Sequence, residues 1–264
     1  MLEELKDRAT FAQEVVADRL PFFEERFGRV ASQWKYDGSR VTEADLAISK
    51  ALQSAIAERF PNDAYLSEEL DAADGAIEVG DGFAWLVDPI DGTNNFARGI
   101  PACSISLALL ENGIPVYGVI YDHMSRRIFH GGPGFGAWIE DQEARFVDEA
   151  PSDQSIVGCQ HCGTDVSAKD DDALQRWFKI RNLGSSAIQL AYATVGWTDG
   201  VIAHKVNSWD IAAGIAMLSA VGGRIHYFSS DPFPIREFDV RKPCFGYLAG
   251  PSRMVEAMLE ATGR

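Results

Sequence analysis

The pattern of apolar and polar positions divides the chain into a helical start, a run of short strands and an alternating end. Apolar residues recur at helical spacing over residues 2–27, where Pro21 predicts a kink or a break. Thr42, followed three residues later by Asp45, is a helix-start pattern and predicts a second helix that ends near Phe60. The beginning of the chain is therefore predicted to be helical.

Short runs of apolar and β-branched residues bounded by turn residues occupy the middle of the chain, and such runs are typical of strands. The predicted strands lie at residues 64–66, 83–87, 103–110, 115–121, 127–130 and 136–139. Glu111-Asn112-Gly113 is a hairpin signal between two of them. Residues 1–150 are thus predicted to form an α+β half, in which helices pack on a largely antiparallel sheet.

Strands and helices alternate after about Pro151, which indicates a layered α/β half over residues 151–264. The predicted strands are 156–159, 179–183, 201–204, 224–228 and 245–249. The predicted helices are 169–178, 185–195, 209–221 and 252–261. The predicted fold class is α/β, built from these two halves.

Composition limits the class of protein. With 264 residues and 46% hydrophobic residues, the chain can bury a large core in one domain or in two packed halves. The longest apolar stretch, residues 211–221, is too short to span a bilayer, and the charged, periodic start is unlike a signal segment. We therefore expect a soluble, cytoplasmic protein that does not bind membranes.

The net charge of −15 adds a constraint on partners. Such a surface repels nucleic acid, so nucleic acid is not an expected partner. It would also repel a phosphorylated small molecule unless cations sit in the site. Part of the acidic excess is therefore a candidate for metal ligation.

Cys159 and Cys162 form a CxxC pair, a spacing that half a zinc site or a redox pair would also show. The other two cysteines, Cys103 and Cys244, are isolated, and no thioredoxin-like start surrounds the pair. Reduced cysteines at a strand end are the favoured interpretation.

The strand at 83–87 runs into a group of carboxylates in the sequence WLVDPIDGTNNF. Pro89 favours an extended Asp88, and the chain must turn after Asp91, so the two carboxylates can converge on one point. Their repulsion would raise a pKa or open the bend unless a cation lies between them. An all-oxygen ligand set suits Mg²⁺ or Mn²⁺. Taken alone, the same residues also suit a helix start with Asp91 as its N-cap.

Gly92 begins the segment GTNN, which predicts a short helical turn whose N–H groups can bind an anion. Metal cations next to an anion-binding pocket are the arrangement that phosphoryl transfer requires. That chemistry depends on positioning and charge neutralisation, so it requires no cysteine or histidine nucleophile.

Five motifs, in order along the chain, resemble those of the inositol monophosphatase family of Mg²⁺-dependent phosphatases. WLVDPIDGTNNF is the longest, and NSWDIAAG at 207–214 is similar to the family's second metal-binding motif. VTEAD at 41–45 and Glu68-Glu69 resemble its upstream acidic motifs, and RNLGSS at 181–186 resembles the loop before its substrate-contacting helix. The resemblance implies a layered α-β-α-β-α sandwich and a lithium-sensitive phosphomonoesterase, and it is compatible with a homodimer.

The resemblance also implies two or three Mg²⁺ ions, for which Mn²⁺ could substitute. Glu68, Asp88 and the Ile90 carbonyl would hold the first ion. Asp88, Asp91 and Asp210 would hold the second, so that Asp88 bridges two ions that clamp an in-line displacement.

Catalytic roles are implied in the same way. A water on the first ion, oriented by Glu68 and Thr93, would be the nucleophile, and Asp45 would hydrogen-bond Thr93. A third, weaker ion would lie near Glu68 and Glu69. The implied contacts to phosphate or substrate are Asp91, Gly92, Thr93, Gly184, Ser185, Ala203 and Asp210.

Two of these residues also have a purely structural interpretation. Thr42 and Asp45 form a satisfactory capping box without catalysis, and Ser208 or Asp210 could cap the helix that begins near Trp209. Lys35 lies one residue short of the spacing of a loop lysine in the family and is left out of the predicted site.

Ala203 departs from the family pattern, because members specific for inositol phosphate tend to carry a glutamate there that binds ring hydroxyls. If the strand at 201–204 is regular and continues, Ala203 and Lys205 face the pocket together. The expected substrates are therefore small polyol and sugar phosphates, including inositol 1-phosphate and fructose 1,6-bisphosphate.

Several alternatives stay open at this level. Fructose-1,6-bisphosphatases, histidinol-phosphate phosphatases and 3′-phosphonucleotide phosphatases share the implied metal site and differ in the pocket. A catalytically silent module that binds phosphate or metal for regulation is the alternative from a different class.

Overall fold

The computed structural model describes residues 2–35, 38–71, 75–144, 146–160, 164–241 and 244–264. The helices in these residues are α1 Leu2–Ala17, α2 Leu20–Arg26, α3 Glu43–Arg59, α4 Thr93–Arg98, α5 Asp165–Gln175, α6 Ser186–Val195, α7 Ser208–Ala220 and α8 Ser252–Thr262. The strands up to residue 111 are β1 Ser32–Trp34, β2 Arg40–Thr42, β3 Ala64–Ser67, β4 Ile77–Glu78, β5 Phe83–Asp91 and β6 Ser104–Glu111. The later strands are β7 Ile114–Asp122, β8 Arg127–Gly132, β9 Gly136–Ile139, β10 Gln142–Glu143, β11 Ile156–Gln160, β12 Lys179–Arg181, β13 Gly200–Val206, β14 Arg224–Tyr227, β15 Glu237–Phe238 and β16 Phe245–Gly250.

Two large sheets organise the described residues. The first has the order β10-β9-β8-β7-β6-β5-β3, and its neighbours are antiparallel except for the parallel β3–β5 pair. The second has the order β12-β11-β13-β16-β14 and is mixed, with β11 parallel to both β12 and β13. Helices cover both faces of both sheets, so the central strands β5, β6, β13 and β16 are buried along most of their length.

Four apolar clusters fill the spaces between the layers. The first joins α1, α2 and α3 to the outer face of the larger sheet, and the second joins its inner face to α6 and α7. The third joins the other side of α6 and α7 to the smaller sheet, whose outer face packs on α5 and α8 in the fourth. The chain is therefore an α-β-α-β-α sandwich, as the family resemblance implied.

Helix α3 shows how the local pattern places a layer. Thr42 accepts a hydrogen bond from the Ala44 N–H, and Asp45 accepts one from the Thr42 N–H, so the helix begins with a capping box. Ile48, Leu52 and other residues at four-residue spacing are buried against the sheet.

The two central helices, α6 and α7, are buried on nearly all sides because each lies between two sheets. Gly118 on β7 permits this close packing, since a Cβ at that position would lie 2.2 Å from the Ala213 carbonyl oxygen. The apolar stretch at 211–221 is thus core. Within the part of the chain that the structure describes, no helix combines the length and apolar character needed to cross a bilayer.

Several predicted boundaries were wrong. Strand β5 continues past Val87 to Asp91, because Asp88 and Asp91 still pair with β6 and the irregularity between them accommodates Pro89, which lacks an N–H. The β1–β2 hairpin was not predicted. The break in the first helix comes before Leu20, so that Pro21 lies in the first turn of α2, where its missing N–H costs nothing.

Candidate active site

Three carboxylates converge at the end of β5 and the start of α7. Oxygens of Asp88, Asp91 and Asp210 all lie within 4.8 Å of one another. Asp88 and Asp91 are buried, and Asp210 is partly buried. Residues separated by about 120 positions in the sequence therefore share one site.

Asp91 is held by the N-terminus of α6. The Ser185 hydroxyl donates to Asp91 Oδ2 at 2.5 Å, and the Ala187 N–H donates to the same oxygen at 2.7 Å. The helix N-terminus favours this negative charge. Burial nevertheless raises the pKa of Asp91 to about 6, although these hydrogen bonds oppose the shift.

Asp210 takes part both in a helix cap and in the carboxylate cluster, the two roles that its sequence position allowed. Helix α7 has Asn207 as its N-cap, and the Asn207 N–H donates to Asp210 Oδ2 at 2.8 Å in a capping box. The cap orients the carboxylate, which also faces Asp88 and Asp91. Asp91, by contrast, is not a cap, since Gly92 is the N-cap of α4.

The electrostatics of the cluster call for a cation. Burial, and then repulsion from Glu68, Asp91 and Asp210, raises the pKa of Asp88 well above its ordinary value. Burial and the charges of Asp91 and Glu68 do the same to the pKa of Asp210. A divalent cation would remove both costs, and the donors are hard oxygens, so the residues fit Mg²⁺ or Mn²⁺.

A second acidic pair, Glu68 and Glu69, extends the cluster beyond β3. The Lys35 ammonium donates to Glu68 at 2.8 Å and to Glu69 at 2.6 Å. Burial opposes the charged ammonium, but the two carboxylates together hold the pKa of Lys35 above its ordinary value. Burial also raises the pKa of Glu69 to about 7. Lys35 was not among the predicted site residues, yet its ammonium is a direct partner of the acidic pair.

Thr93 and Asp45 form a buried pair beside the carboxylates. The Thr93 hydroxyl lies 3.0 Å from Asp45 Oδ1 and 2.9 Å from the Ile90 carbonyl oxygen, and it can donate to either. The other oxygen of Asp45 accepts from Thr42 within the capping box. Burial raises the pKa of Asp45 to about 6. Asp45 therefore caps α3 and contacts Thr93 at the same time.

Gly92 is required by the turn between β5 and α4. Its φ is +86°, and a Cβ there would lie 3.0 Å from the Ala102 carbonyl oxygen and 3.1 Å from that of Gly184. Asn95 holds the same segments close to the turn, because its amide donates to the carbonyls of Ala102 and Leu183 at 2.8 and 2.9 Å. The loop before α6 is thereby tied to the DPIDGT turn.

The carboxylates lie in a cleft of about 420 Å³, called here the catalytic cleft. Its lining includes three cations, Arg40, Arg98 and Lys205. Trp34 covers one side and is 66% exposed, and the Arg40 guanidinium lies 4.0 Å from the centroid of its ring. The cleft thus joins a negative floor to a positive rim.

Ala203 does not line this cleft, so that part of the predicted pocket is wrong. It is 1% exposed and packs in the apolar cluster between α6, α7 and the smaller sheet. The register of β13 shifts between Ala203 and Val206, so the simple alternation expected for Ala203 and Lys205 fails. Lys205 is exposed and lines the cleft without Ala203.

The sequence prediction also missed Trp34, Lys35, Arg40 and Arg98. Trp34, Arg40 and Arg98 line the cleft, and Lys35 contacts Glu68 and Glu69. The Asp-Gly pair at 37–38 is a hairpin signal that could have indicated β1 and β2, and with them the first three. No comparable local signal marks Arg98. Of the CxxC pair, Cys162 lies outside the described residues.

Comparison with known proteins agrees with this geometry. The sequence profile of the inositol monophosphatase family matches residues 2–260. A Thermotoga maritima fructose-1,6-bisphosphatase/inositol-1-monophosphatase is 35% identical over 206 residues, which cover 77% of this chain and 78% of the relative. The Nus factor SuhB of Pasteurella multocida is 30% identical over 212 residues, 78% of each chain.

Solved structures show the same architecture. The Thermotoga maritima IMPase superposes with a TM-score of 0.85 at 26% identity, covering 97% of both chains. The inositol monophosphatase of Anabaena superposes with a TM-score of 0.79 at 25% identity, covering 98% of this chain and 96% of that one. The chain belongs to the inositol monophosphatase family.

Proposed function

We propose that the protein is a Mg²⁺-dependent phosphomonoesterase that hydrolyses small polyol and sugar phosphates, including inositol 1-phosphate. The observation that carries the proposal is the convergence of Asp88, Asp91 and Asp210. Their raised pKa values mean that the charged carboxylates are destabilised by the site, and bound cations would stabilise them. A complete acidic set favours catalysis over a silent regulatory module.

Glu68, Asp88 and the Ile90 carbonyl would hold one ion, and Asp88, Asp91 and Asp210 a second, with Glu69 beside a weaker third. When bound, Mg²⁺ neutralises charge on the phosphate oxygens and lowers the pKa of a coordinated water. Asp88, Asp91 and Asp210 need no rearrangement of the backbone to meet, since their carboxylate oxygens already lie within 4.8 Å of one another.

The Thr93 hydroxyl and Asp45 would direct the proton of the attacking water. The Thr93 hydroxyl can accept a hydrogen bond from the water while it donates its own hydrogen bond to Asp45 Oδ1, 3.0 Å away. Asp45 is fixed by its capping box and therefore holds the hydroxyl in one orientation. The phosphate would lie against the turn at Gly92, where the absence of a side chain permits close approach.

The test of the proposal is phosphate release from a panel of phosphomonoesters, measured in Mg²⁺ and in excess EDTA. We expect turnover in Mg²⁺ or Mn²⁺ and none in EDTA. Undiminished hydrolysis in EDTA would contradict the metal assignment. Inhibition by millimolar Li⁺ is expected by analogy with the family.

Substrates with a second anionic group should be accepted because of the cationic rim. Lys205, Arg40 and Arg98 line the same cleft as the carboxylates. The name of the Thermotoga relative, which includes fructose-1,6-bisphosphatase, supports the same substrate class.

Lys205→Gln is expected to raise KM for fructose 1,6-bisphosphate about tenfold and to change KM for inositol 1-phosphate less than twofold. The reason is that an exposed charge pair contributes up to about 1 kcal/mol, and somewhat more in a partly enclosed cleft. Lys50→Gln, an exposed lysine on α3, is the control. Equal KM changes for both substrates would show that Lys205 does not select the second anionic group.

Metal binding should reverse the pH dependence of stability. In metal-free protein, a carboxylate whose folded pKa is raised contributes stability below its unfolded pKa of about 4, and this is lost as pH rises through the folded value. For Asp45 and Asp91 that value is about 6. Stability in EDTA should therefore fall between about pH 4 and pH 6, which are the unfolded and folded pKa values.

Mg²⁺ at a hundred times its Kd should add about 2.7 kcal/mol at pH 8, or about 5–10 °C in Tm, and much less at pH 5. The measurement is thermal unfolding at both pH values in EDTA, in MgCl₂ and in NaCl of matched ionic strength. An equal Mg²⁺ effect at both pH values would disagree with the proposed ligands.

A further inference from the structure

Gln160 is the last residue of β11 and lines the catalytic cleft, although it was not among the predicted site residues. Strand β11 is parallel to β13, so the carboxyl ends of both strands lie at the same edge of the smaller sheet, where ligands commonly bind. Lys205 and Asn207, at the end of β13, line the cleft as well. We call Gln160, Lys205 and Asn207 the strand-end wall.

Gln160 supplies the polar side chain that its neighbour Ala203 lacks. The two residues are paired in the β11–β13 register, so their side chains project from the same face of the sheet. Ala203 is buried in the apolar cluster beside α6 and α7, whereas Gln160 is only partly buried and lines the cleft. At this pair of positions, the polar contact available to a ligand therefore comes from β11 rather than from β13.

A hydrogen bond orients the Gln160 amide. The hydroxyl of Ser186, which is buried in the first turn of α6, donates to Gln160 Oε1. Gly158, two residues earlier on the same face of β11, permits close packing on α6, since a Cβ there would lie 3.3 Å from the Gln189 Cβ. Because the amide oxygen accepts from Ser186, the NH2 group with its two donors is the part of the amide that remains for a ligand.

The rest of the strand-end wall also presents donors. The Lys205 ammonium has donors only, and the Asn207 amide oxygen accepts from the Cys244 thiol at 3.3 Å. A hydroxyl oxygen has lone pairs and accepts from such groups, whereas an ammonium has none and is also repelled by the charge of Lys205. The wall thus favours hydroxyl groups over ammonium groups.

We propose that Gln160 is a specificity-determining residue, whose NH2 group donates to a hydroxyl oxygen on the alcohol portion of the substrate. It selects phosphate esters of polyols and sugars over those of amino alcohols. The proposal rests on the proposed phosphatase function, because it requires the phosphate to lie at the carboxylate cluster. In that cluster Asp91 is held by Ser185 and Ala187, the neighbours of Ser186, so the same helix N-terminus positions Asp91 and the Gln160 amide.

The test compares ligands that differ only in one terminal group. The two ligands 3-hydroxypropylphosphonate and 3-aminopropylphosphonate have the same length, and neither is hydrolysed, so calorimetry in saturating Mg²⁺ reports binding without turnover. We expect wild type to bind the hydroxyl ligand about tenfold more tightly, on the scale of one hydrogen bond and an unfavourable charge. In parallel, kcat/KM is measured for 2-hydroxyethyl phosphate and 2-aminoethyl phosphate, which have the same spacing between phosphorus and the terminal group.

Two variants test the role of the amide. Gln160→Glu keeps the side-chain length and an acceptor for Ser186 but replaces the donors with a carboxylate. It should shift the hydroxyl-to-ammonium affinity ratio about tenfold or more toward the ammonium ligand. Ser186→Ala frees the amide to turn its oxygen toward the cleft and should lower the ratio about fivefold. Asn94→Asp is the matched control, since it adds the same charge to the same cleft from α4 and should shift the ratio less than threefold.

A wild-type preference for 3-aminopropylphosphonate, or equal shifts in Gln160→Glu and Asn94→Asp, would overturn the proposal. A tenfold binding ratio that shifts in Gln160→Glu, without phosphate release from either ester, would support the role of Gln160 and refute the proposed hydrolysis. Hydrolysis of both esters at equal kcat/KM, together with equal binding of the two phosphonates, would refute the role of Gln160 alone.

Discussion

Asp88→Asn is expected to lower kcat by about two orders of magnitude or more while leaving the metal-free protein as stable as wild type or more stable. Loss of one preorganised charged group from a catalytic site commonly has an effect of this size. Asp88 is assigned to both ions, so no other single change should remove more of the site. Asparagine keeps the acceptor for the Ile90 N–H, 3.1 Å from Asp88 Oδ1, and relieves the repulsion that raises the pKa of Asp88.

The measurements are phosphate release in saturating Mg²⁺ and urea unfolding in EDTA at pH 8. Asp63→Asn is the matched control, since Asp63 is also a buried carboxylate but is paired with Arg8 at 2.8 Å and accepts from Trp85 at 2.9 Å. That control should lose about 3 kcal/mol or more of stability and keep its kcat. Activity of Asp88→Asn within tenfold of wild type would remove Asp88 from the metal site.

Thr93→Ala is expected to lower kcat about a hundredfold with little change in KM. The hydroxyl is assigned to the attacking water, and proton-directing groups commonly contribute 10²–10⁴-fold. An interaction made only in the transition state affects kcat rather than KM. Thr93→Ser retains the hydroxyl and should recover most of the activity.

A double-mutant cycle distinguishes this role from a structural one. If Thr93 and Asp45 act as a unit, Asp45→Asn should cost little additional kcat in the Thr93→Ala background. Asp45→Asn alone should also weaken the capping box, which urea unfolding measures separately. A tenfold rise in KM with kcat unchanged would make Thr93 a substrate-binding residue instead.

The sequence by itself determined those features that depend on neighbours along the chain. Period and turn signals located the long helices and the long strands, and the Thr42–Asp45 capping box was read directly from its spacing. The geometry of the DPIDGT turn is also set locally, because Pro89 fixes its own φ and Gly92 permits the positive φ that the turn requires. Motif order was sufficient to indicate the family.

Only the tertiary structure decided which distant residues meet. Asp210 reaches Asp88 because α7 packs closely on β7 at Gly118, and nothing near either aspartate encodes that contact. The ion pair of Lys35 with Glu68 and Glu69 likewise depends on tertiary packing, which brings the residue after β1 to the segment after β3. Ala203 gave a wrong prediction because strand alternation is a local rule, whereas the register shift in β13 arises from its pairing with β16. Long-range pairing and packing, which local patterns do not specify, therefore set the lining of the cleft.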